Sequence, residues 1–353
     1  MSGRKVTCGV TDYVESLGEA LHERQDVVFD ITRLEPSSPL AFVGALVGHL
    51  RAGGIVQFNL PIEGWGNSLL PGVALFLARL LTRRGKIVLT VHEWKSLNRL
   101  RFLSQLPDLW AADKVVLVSR EQWEAFRESK SPPKRLRESA ALIPIGANIK
   151  GEAFTLPARP ATHEGPIIGY FGVLYASKQP ELMLRTLAAL KAREPNASLI
   201  ICGDFLPDKP QDRTAFFALA EELGITSNID FRGRIDASGD VLAALAEADA
   251  HLLLFSDGAS ARRSSLLTCL QLDRPVVTTA PLRADEFADW PDIGRQIAEG
   301  SIATVAVDAD PQDIAEVLVT TLGARPRRDP IDSVSIWRRI GDDHARLYRQ
   351  LQA

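Results

Sequence analysis

Two strand-to-helix turns in the second half of this chain carry cations where an anion could be held. In "GYFGVLYASKQPELMLRTL" a strand ending at Gly172 runs through a short loop to Lys178 at the start of a helix. Backbone N–H groups at a helix start favour negative charge, and Lys178 adds a mobile positive one, a pairing that suits a phosphate. The second turn lies in "LLLFSDGASARRSSLLTCLQLDRPVVTT", residues 252–279. There a strand gives way to a polar loop with Asp257 and Ser260, then Arg262 and Arg263 stand beside a helix that starts near Ser264. One guanidinium can grip a phosphate with two bonds, each charge-assisted bond contributing about 1.5–3 kcal/mol. Two such turns in one domain suit a diphosphate between them. The plainer readings are a solvated Lys178 and an arginine pair of which at least one member points to solvent.

Other loops that follow strands hold further candidates. His92 and Glu93 follow "KIVLTV". A histidine at a strand's carboxyl end can donate to a substrate oxygen or orient it, or it can simply cap the next helix. Gly64, Trp65 and Gly66 open like a dinucleotide-binding glycine loop, but Leu69 stands where the third glycine belongs. That favours a flexible backbone near a ligand on the acceptor side, with Trp65 as a stacking face or an ordinary core residue. The three cysteines, Cys8, Cys202 and Cys269, form no CxxC pair. Disulfides, zinc and any other metal site are not expected, and a reducing cytoplasm is the expected compartment.

These loops need a frame. The 353 residues are 46% hydrophobic and 24% charged, the composition of a globular protein of two domains. Apolar runs alternate with helical stretches throughout. "VVFDI" (27–31), "GIVQFNL", "KIVLTV" and "KVVLVS" read as strands of a first parallel sheet. "GPIIGYFG", "ASLIICGD", "IDFRG", "HLLLFS", "RPVVTT" and "ATVAV" read as strands of a second. Alternation with helices implies right-handed βαβ units, hence an α/β protein of two doubly wound domains facing across a cleft. The expected limits are residues 1–149, residues 150–325, and a closing helical segment, 326–353, that returns to the first domain. Residues 1–150 hold 20 Lys and Arg against 15 Asp and Glu, whereas the whole chain carries −3. Nucleic acid is therefore not an expected partner. Basic clusters at 82–86, 95–101 and 130–137, with Leu97, Phe102 and Trp110 among or near them, raise the expectation of weak contact with the cytoplasmic face of a membrane.

"CGVTDYVESLGEAL", "TVHE", "IPIGANI", "GYFGVLYASK", "IICGD", "FRGRI", "ADAHLLLFSDGAS" and "RPVVTT" occur here in the order found in family-four glycosyltransferases of the GT-B fold. The chain resembles that family over nearly its whole length, including the closing helix with Trp337, Ile340, His344, Leu347 and Tyr348. The resemblance implies retaining transfer of a sugar from a nucleotide diphosphate donor, without a cofactor or metal, to a saccharide, lipid-linked or small-molecule acceptor. It implies that His92 meets the donor sugar and Lys178 the diphosphate, that Phe231 to Arg234 lie near the base, and that Gly9 to Asp12 form a loop over the transferring sugar. It also implies that Gly172 and Gly203 lie among the donor-binding residues. The family's arginine after Gly172 is here Val173, and its two glutamates are missing: Thr268 takes one position, Ser260 or Ala261 the other. On this reading Arg262 or Arg263 replaces the lost cation and Thr268 offers its hydroxyl to the ribose. "MSGRKVTC" is too short and polar for the strand that precedes the Gly9 loop in similar proteins, so the true start lies upstream or that strand is absent. A catalytically inactive binding relative and another GT-B enzyme, such as a sugar-nucleotide epimerase, are the rival readings.

Overall fold

The computed structural model describes residues 9–24, 26–31, 39–59, 70–94, 99–151, 164–324 and 328–353. They form two compact units, Met1–Gly146 with Ser335–Ala353, and Ala147–Val334. Gly64, Trp65, Gly66 and Leu97 lie outside the described residues.

In the first unit four parallel strands stand in chain order: β1 (Ile55–Asn59), β2 (Lys86–Val91), β3 (Lys114–Leu117) and β4 (Ala141–Leu142). Side chains alternate across a strand, and both faces here are covered. Ile87, Leu89 and Val91 join Phe42, Leu75, Leu109 and Phe126 on one side. Val88, Val116 and Val118 meet Tyr13, Leu17, Trp337 and Ile340 on the other. Burial on both faces is why these strands read as unbroken apolar runs. The closing helix, Ser333–Gln352, supplies Trp337, Ile340 and Ala345 to this second core. The residues just before it stay with the other unit, where the Ile331 N–H donates to the Leu270 carbonyl at 2.9 Å.

Two expectations need correction. Residues 27–31 are not a strand. Phe29 and Ile31 lie against Gly18 of helix Gly9–His22, where a Cβ would stand 2.8 Å from the Phe29 ring. Burial against a helix has replaced pairing in a sheet. Gly9 and Asp12, expected on a loop, lie in the first turn of that helix, where an acidic residue is favoured by the helix dipole.

The second unit is a six-stranded parallel sheet in the order β10-β9-β8-β5-β6-β7. Its strands are β5 (Ile167–Phe171), β6 (Ser198–Cys202), β7 (Ile229–Gly233), β8 (Ala250–Leu253), β9 (Val276–Thr279) and β10 (Ile302–Val305). The chain runs outward from β5 to β7, then returns to the other side of β5 to lay down β8 to β10. The reversal falls between β5 and β8, and ligands of such sheets bind outside the strands' carboxyl ends at that point.

Close packing inside the first unit yields a prediction. A Cβ on Gly146 would fall 2.6 Å from the Trp337 indole, itself almost fully buried. Gly146→Ala should therefore lower stability by about 1–3 kcal/mol through overpacking, seen as a lower denaturant midpoint. Gly323→Ala, where the added methyl meets no heavy atom within 4 Å, should not.

Candidate functional site

The loops after β5 and β8 meet at the sheet's reversal. Gly172 ends β5 with φ 124°, and a Cβ on Gly203 would lie 2.0 Å from the Gly172 carbonyl oxygen. No side chain fits at Gly203, so the two backbones press together, with the Gly172 N–H donating to the Cys202 carbonyl at 3.0 Å. Gly203 thus shapes the floor of the site. After Gly172 the chain makes one 3₁₀ turn, Ala176–Lys178. Gln179 follows at φ 48°, the one non-glycine positive φ among the described residues, and caps helix Pro180–Lys191. The Ser256 N–H donates to the Ser177 carbonyl at 3.0 Å, which ties the β8 loop to this turn.

Lys178 is not the mobile surface charge expected from sequence. It is 6% exposed, and its ammonium donates to Ser265 Oγ at 2.6 Å while lying 4.4 Å from the centre of the Phe255 ring. Arg263 is also buried, its guanidinium 4.9 Å from the same ring and ion-paired to Asp257. Arg262 donates to the other Asp257 oxygen at 3.0 Å. Neither arginine simply points to solvent. Arg262 and Arg263 thus share one carboxylate, which is exposed, while Lys178 bonds to Ser265 and lies over the same Phe255 ring as Arg263. Burial, and next the positive charge of Arg263, lower Lys178 to about 7. Arg263 Nε and Ser260 Oγ are buried without hydrogen-bond partners, as in a site shaped to accept a further polar group.

Thr268 does not match the expectation of an open hydroxyl. It sits on helix Ser264–Cys269, wholly buried, and its Oγ1 is enclosed without a partner. A carboxylate that sequence reasoning missed does reach this loop: buried Glu286 accepts the Ala261 N–H at 3.1 Å. Its segment, "APLRADEFADW", follows β9, and position after a strand was the one signal that could have flagged it. Arg234 stands apart, after β7 at the sheet edge, exposed and paired to Asp236 at 2.8 Å. Phe231 belongs to an aromatic group with Phe205 and Phe217, and Arg213 lies 4.7 Å over its ring.

In the first unit, His92 and Glu93 follow β2 and are half-buried. The Tyr13 ring meets His92 edge to face at 5.0 Å, and the Tyr13 hydroxyl bonds to His344 Nε2 at 2.9 Å. His92 Nε2 is enclosed without a partner, and burial lowers this imidazole to about 4. It is therefore neutral at pH 7 and can donate or accept a hydrogen bond without carrying charge. Among the described residues no group of three His, Cys, Asp or Glu is placed to hold a metal ion.

Comparison with known proteins gives a family match and the fold. Residues 155–259, which include β5 to β8 and Asp257, match the family model "Glycosyl transferases group 1". No curated protein matches the chain. Among solved structures, sucrose-phosphate synthase from Thermosynechococcus elongatus is similar with TM-score 0.65 at 19% identity, over 96% of this chain and 92% of that one. HepE from Anabaena, solved with UDP and glucose, gives TM-score 0.54 at 17% identity over 90% and 85%. The pneumococcal O-GlcNAc transferase GtfA, solved with UDP and GlcNAc, gives 0.60 at 12% identity over 88% and 59%. The fold is that of the GT-B glycosyltransferases. Together with the family match, it supports the family-four resemblance read from the sequence.

The lysine's environment predicts a proton linkage. With Lys178 at about 7 in the free protein, much of it is neutral at pH 8, and a bound diphosphate must raise its pKa. Binding of a nucleoside diphosphate, whose phosphates titrate near pH 6, should then take up a proton between pH 7 and 9. Affinity should fall with rising pH by up to about tenfold per unit. Calorimetry in buffers of different ionisation enthalpy measures the uptake, and Lys178→Arg should remove it.

Proposed function

We propose that this chain is a retaining glycosyltransferase that moves a sugar from a nucleoside diphosphate donor to a saccharide, lipid-linked or small-molecule acceptor. The observation that carries the reading is the sharing of one exposed carboxylate by Arg262 and Arg263 at the sheet's reversal, with the buried Lys178 ammonium over the same Phe255 ring as Arg263. A diphosphate entering there displaces Asp257 from the arginines and gains two guanidinium forks and an ammonium. As the glycosidic bond breaks, negative charge grows on the departing phosphate oxygen. Cations already fixed in a water-poor site stabilise that charge without having to reorganise. This is the role a metal would otherwise fill, so the reading needs none. Glu286 returns one carboxylate to a loop from which both expected glutamates are missing.

His92, neutral and with Nε2 unpartnered, has the role of hydrogen-bonding the donor sugar. Tyr13 and His344 brace its ring from behind. Uridine is the preferred base because HepE and GtfA were solved with UDP. The reading places the protein in the cytoplasm, with contact at the membrane's cytoplasmic face where the acceptor is lipid-linked. A binding subunit without turnover is the second reading, favoured by the absent glutamates and the enclosed Thr268.

Two measurements test this. UDP should raise the melting temperature, and at pH 7 Lys178→Ala and Arg263→Ala should each weaken its binding by about 1–3 kcal/mol. Unchanged affinity in both would remove the site. His92→Ala should cut turnover of a UDP-sugar far more than it weakens UDP binding. Equal losses make the histidine structural, and binding with no turnover from any donor sugar selects the second reading.

A further inference from the structure

Two neighbouring helices of the first unit have their polarity turned inside out. Helix Leu70–Leu81 exposes Val73, Phe76, Leu77, Leu80 and Leu81. The spacing i, i+3, i+4, i+7, i+8 is that of one helix face, and every residue on it is apolar. Its buried residues are Pro71, Gly72, Ala74, Leu75 and Ala78, of which Leu75 alone is large. Helix Arg99–Ala111 exposes Leu100, Leu103 and Trp110, again along one side. Its polar residues Ser104, Gln105 and Asp108 are buried, and Gln105 Oε1 and Asp108 Oδ1 have no partner. The helices touch through these inner sides: a Cβ on Gly72 would stand 2.9 Å from the Ser104 carbonyl oxygen and 3.2 Å from Asp108 Oδ1. Both pack onto the same face of the sheet through Leu75, Ala78, Leu109 and Ala111, so their outer sides form one surface. Of the twelve exposed large apolar side chains among the described residues, eight lie here, which makes a patch and not a scatter.

We infer that this two-helix face is a docking surface for an anionic lipid bilayer. Charge selects the occupant. Helix Leu70–Leu81 and its neighbour Pro39–Arg51 contain no carboxylate, and Asp108, the one acid of helix Arg99–Ala111, is buried. Burial raises Asp108 to about 8, so it is mostly uncharged at neutral pH. Cations border the patch instead: Arg83 and Arg84 follow the first helix, exposed, and exposed Arg51 ends its neighbour. Apolar side chains with cations at the ends of their helices suit the boundary between acyl chains and anionic headgroups. No described helix is long and apolar enough to cross a membrane, so the contact is made from the surface. Of the residues expected from sequence to make it, Trp110 lies on the face, whereas Phe102 packs inward against Trp94. The inference deepens the lipid-linked arm of the proposed function, and it is tested without nucleotide, so vesicle binding and UDP binding can fail separately.

The test is flotation of the intact protein with vesicles of phosphatidylcholine, with and without 30% phosphatidylglycerol. The native chain should float with the anionic vesicles and bind the neutral ones at least tenfold more weakly. Leu77→Glu/Leu80→Glu places charge on an exposed face, so it should keep the native melting temperature and UDP affinity while losing at least tenfold in vesicle binding. Arg83→Glu/Arg84→Glu should weaken binding to anionic vesicles alone. A native chain that does not float overturns the inference, as does a double-Glu variant that floats equally well. So does a native chain that is a dimer in solution, made monomeric by Leu77→Glu/Leu80→Glu, without vesicle binding, which would make the face a contact between copies.

Discussion

Asp257 pairs with Arg262 and Arg263 at once, while the buried Lys178 ammonium has only the Ser265 hydroxyl and the Phe255 ring, and this imbalance organises the second unit's site. A buried charge is tolerated when it is paired, and one carboxylate cannot balance three cations. Lys178 meets part of the cost by giving up its proton more readily, and the Phe255 ring face meets another part by attracting both Lys178 and Arg263. Neither removes the excess of positive charge. The most exposed member of the group is the carboxylate, while Lys178 and Arg263 are fixed from beneath. The arrangement therefore yields most easily by letting Asp257 go and admitting an anion of higher charge.

The cations can be held in that state because the frame under them leaves no slack. Gly203 lies against the Gly172 carbonyl, the Ser256 N–H anchors one loop to the other, and the Phe255 N–H is held by Thr279 Oγ1 at 3.2 Å. The Ser256–Ser177 contact joins loops that are adjacent only because the sheet order reverses between β5 and β8, and the other two tie β5 to β6 and β8 to β9. A cation on an unbraced loop would relax into water and lose the advantage of position.

The strands of the second unit were legible because parallel strands covered on both faces leave unbroken apolar runs, and the cationic loops were legible because they follow such strands. What sequence could not show was set by partners distant along the chain. Lys178 reads as a helix-start lysine until Ser265, far away in sequence, accepts its hydrogen bond and the ring of Phe255 covers it. Glu286 carries no sequence pattern and reaches this loop through the Ala261 N–H. Residues 27–31 have strand composition, but Gly18 offers Phe29 and Ile31 a groove on a helix, and packing overrode propensity. β4 is two residues long, too short for any periodicity to register.

Helix Leu70–Leu81 shows a different limit. It is apolar all round, so its periodicity says that it is a helix but not which side faces the core. The structure turns Gly72, Ala74 and Ala78 inward and Phe76, Leu77, Leu80 and Leu81 outward. Burial of apolar area alone would favour the opposite choice, since larger side chains release more water. Close approach explains the inward set: a small-residue side lets the helix sit against the Ser104 carbonyl and the Asp108 carboxyl of its neighbour. Among the described residues nothing covers the outward set. Side chains kept apolar in water, beside a buried carboxyl that has lost most of its charge, make physical sense when the surface they form meets an apolar phase for part of its working life.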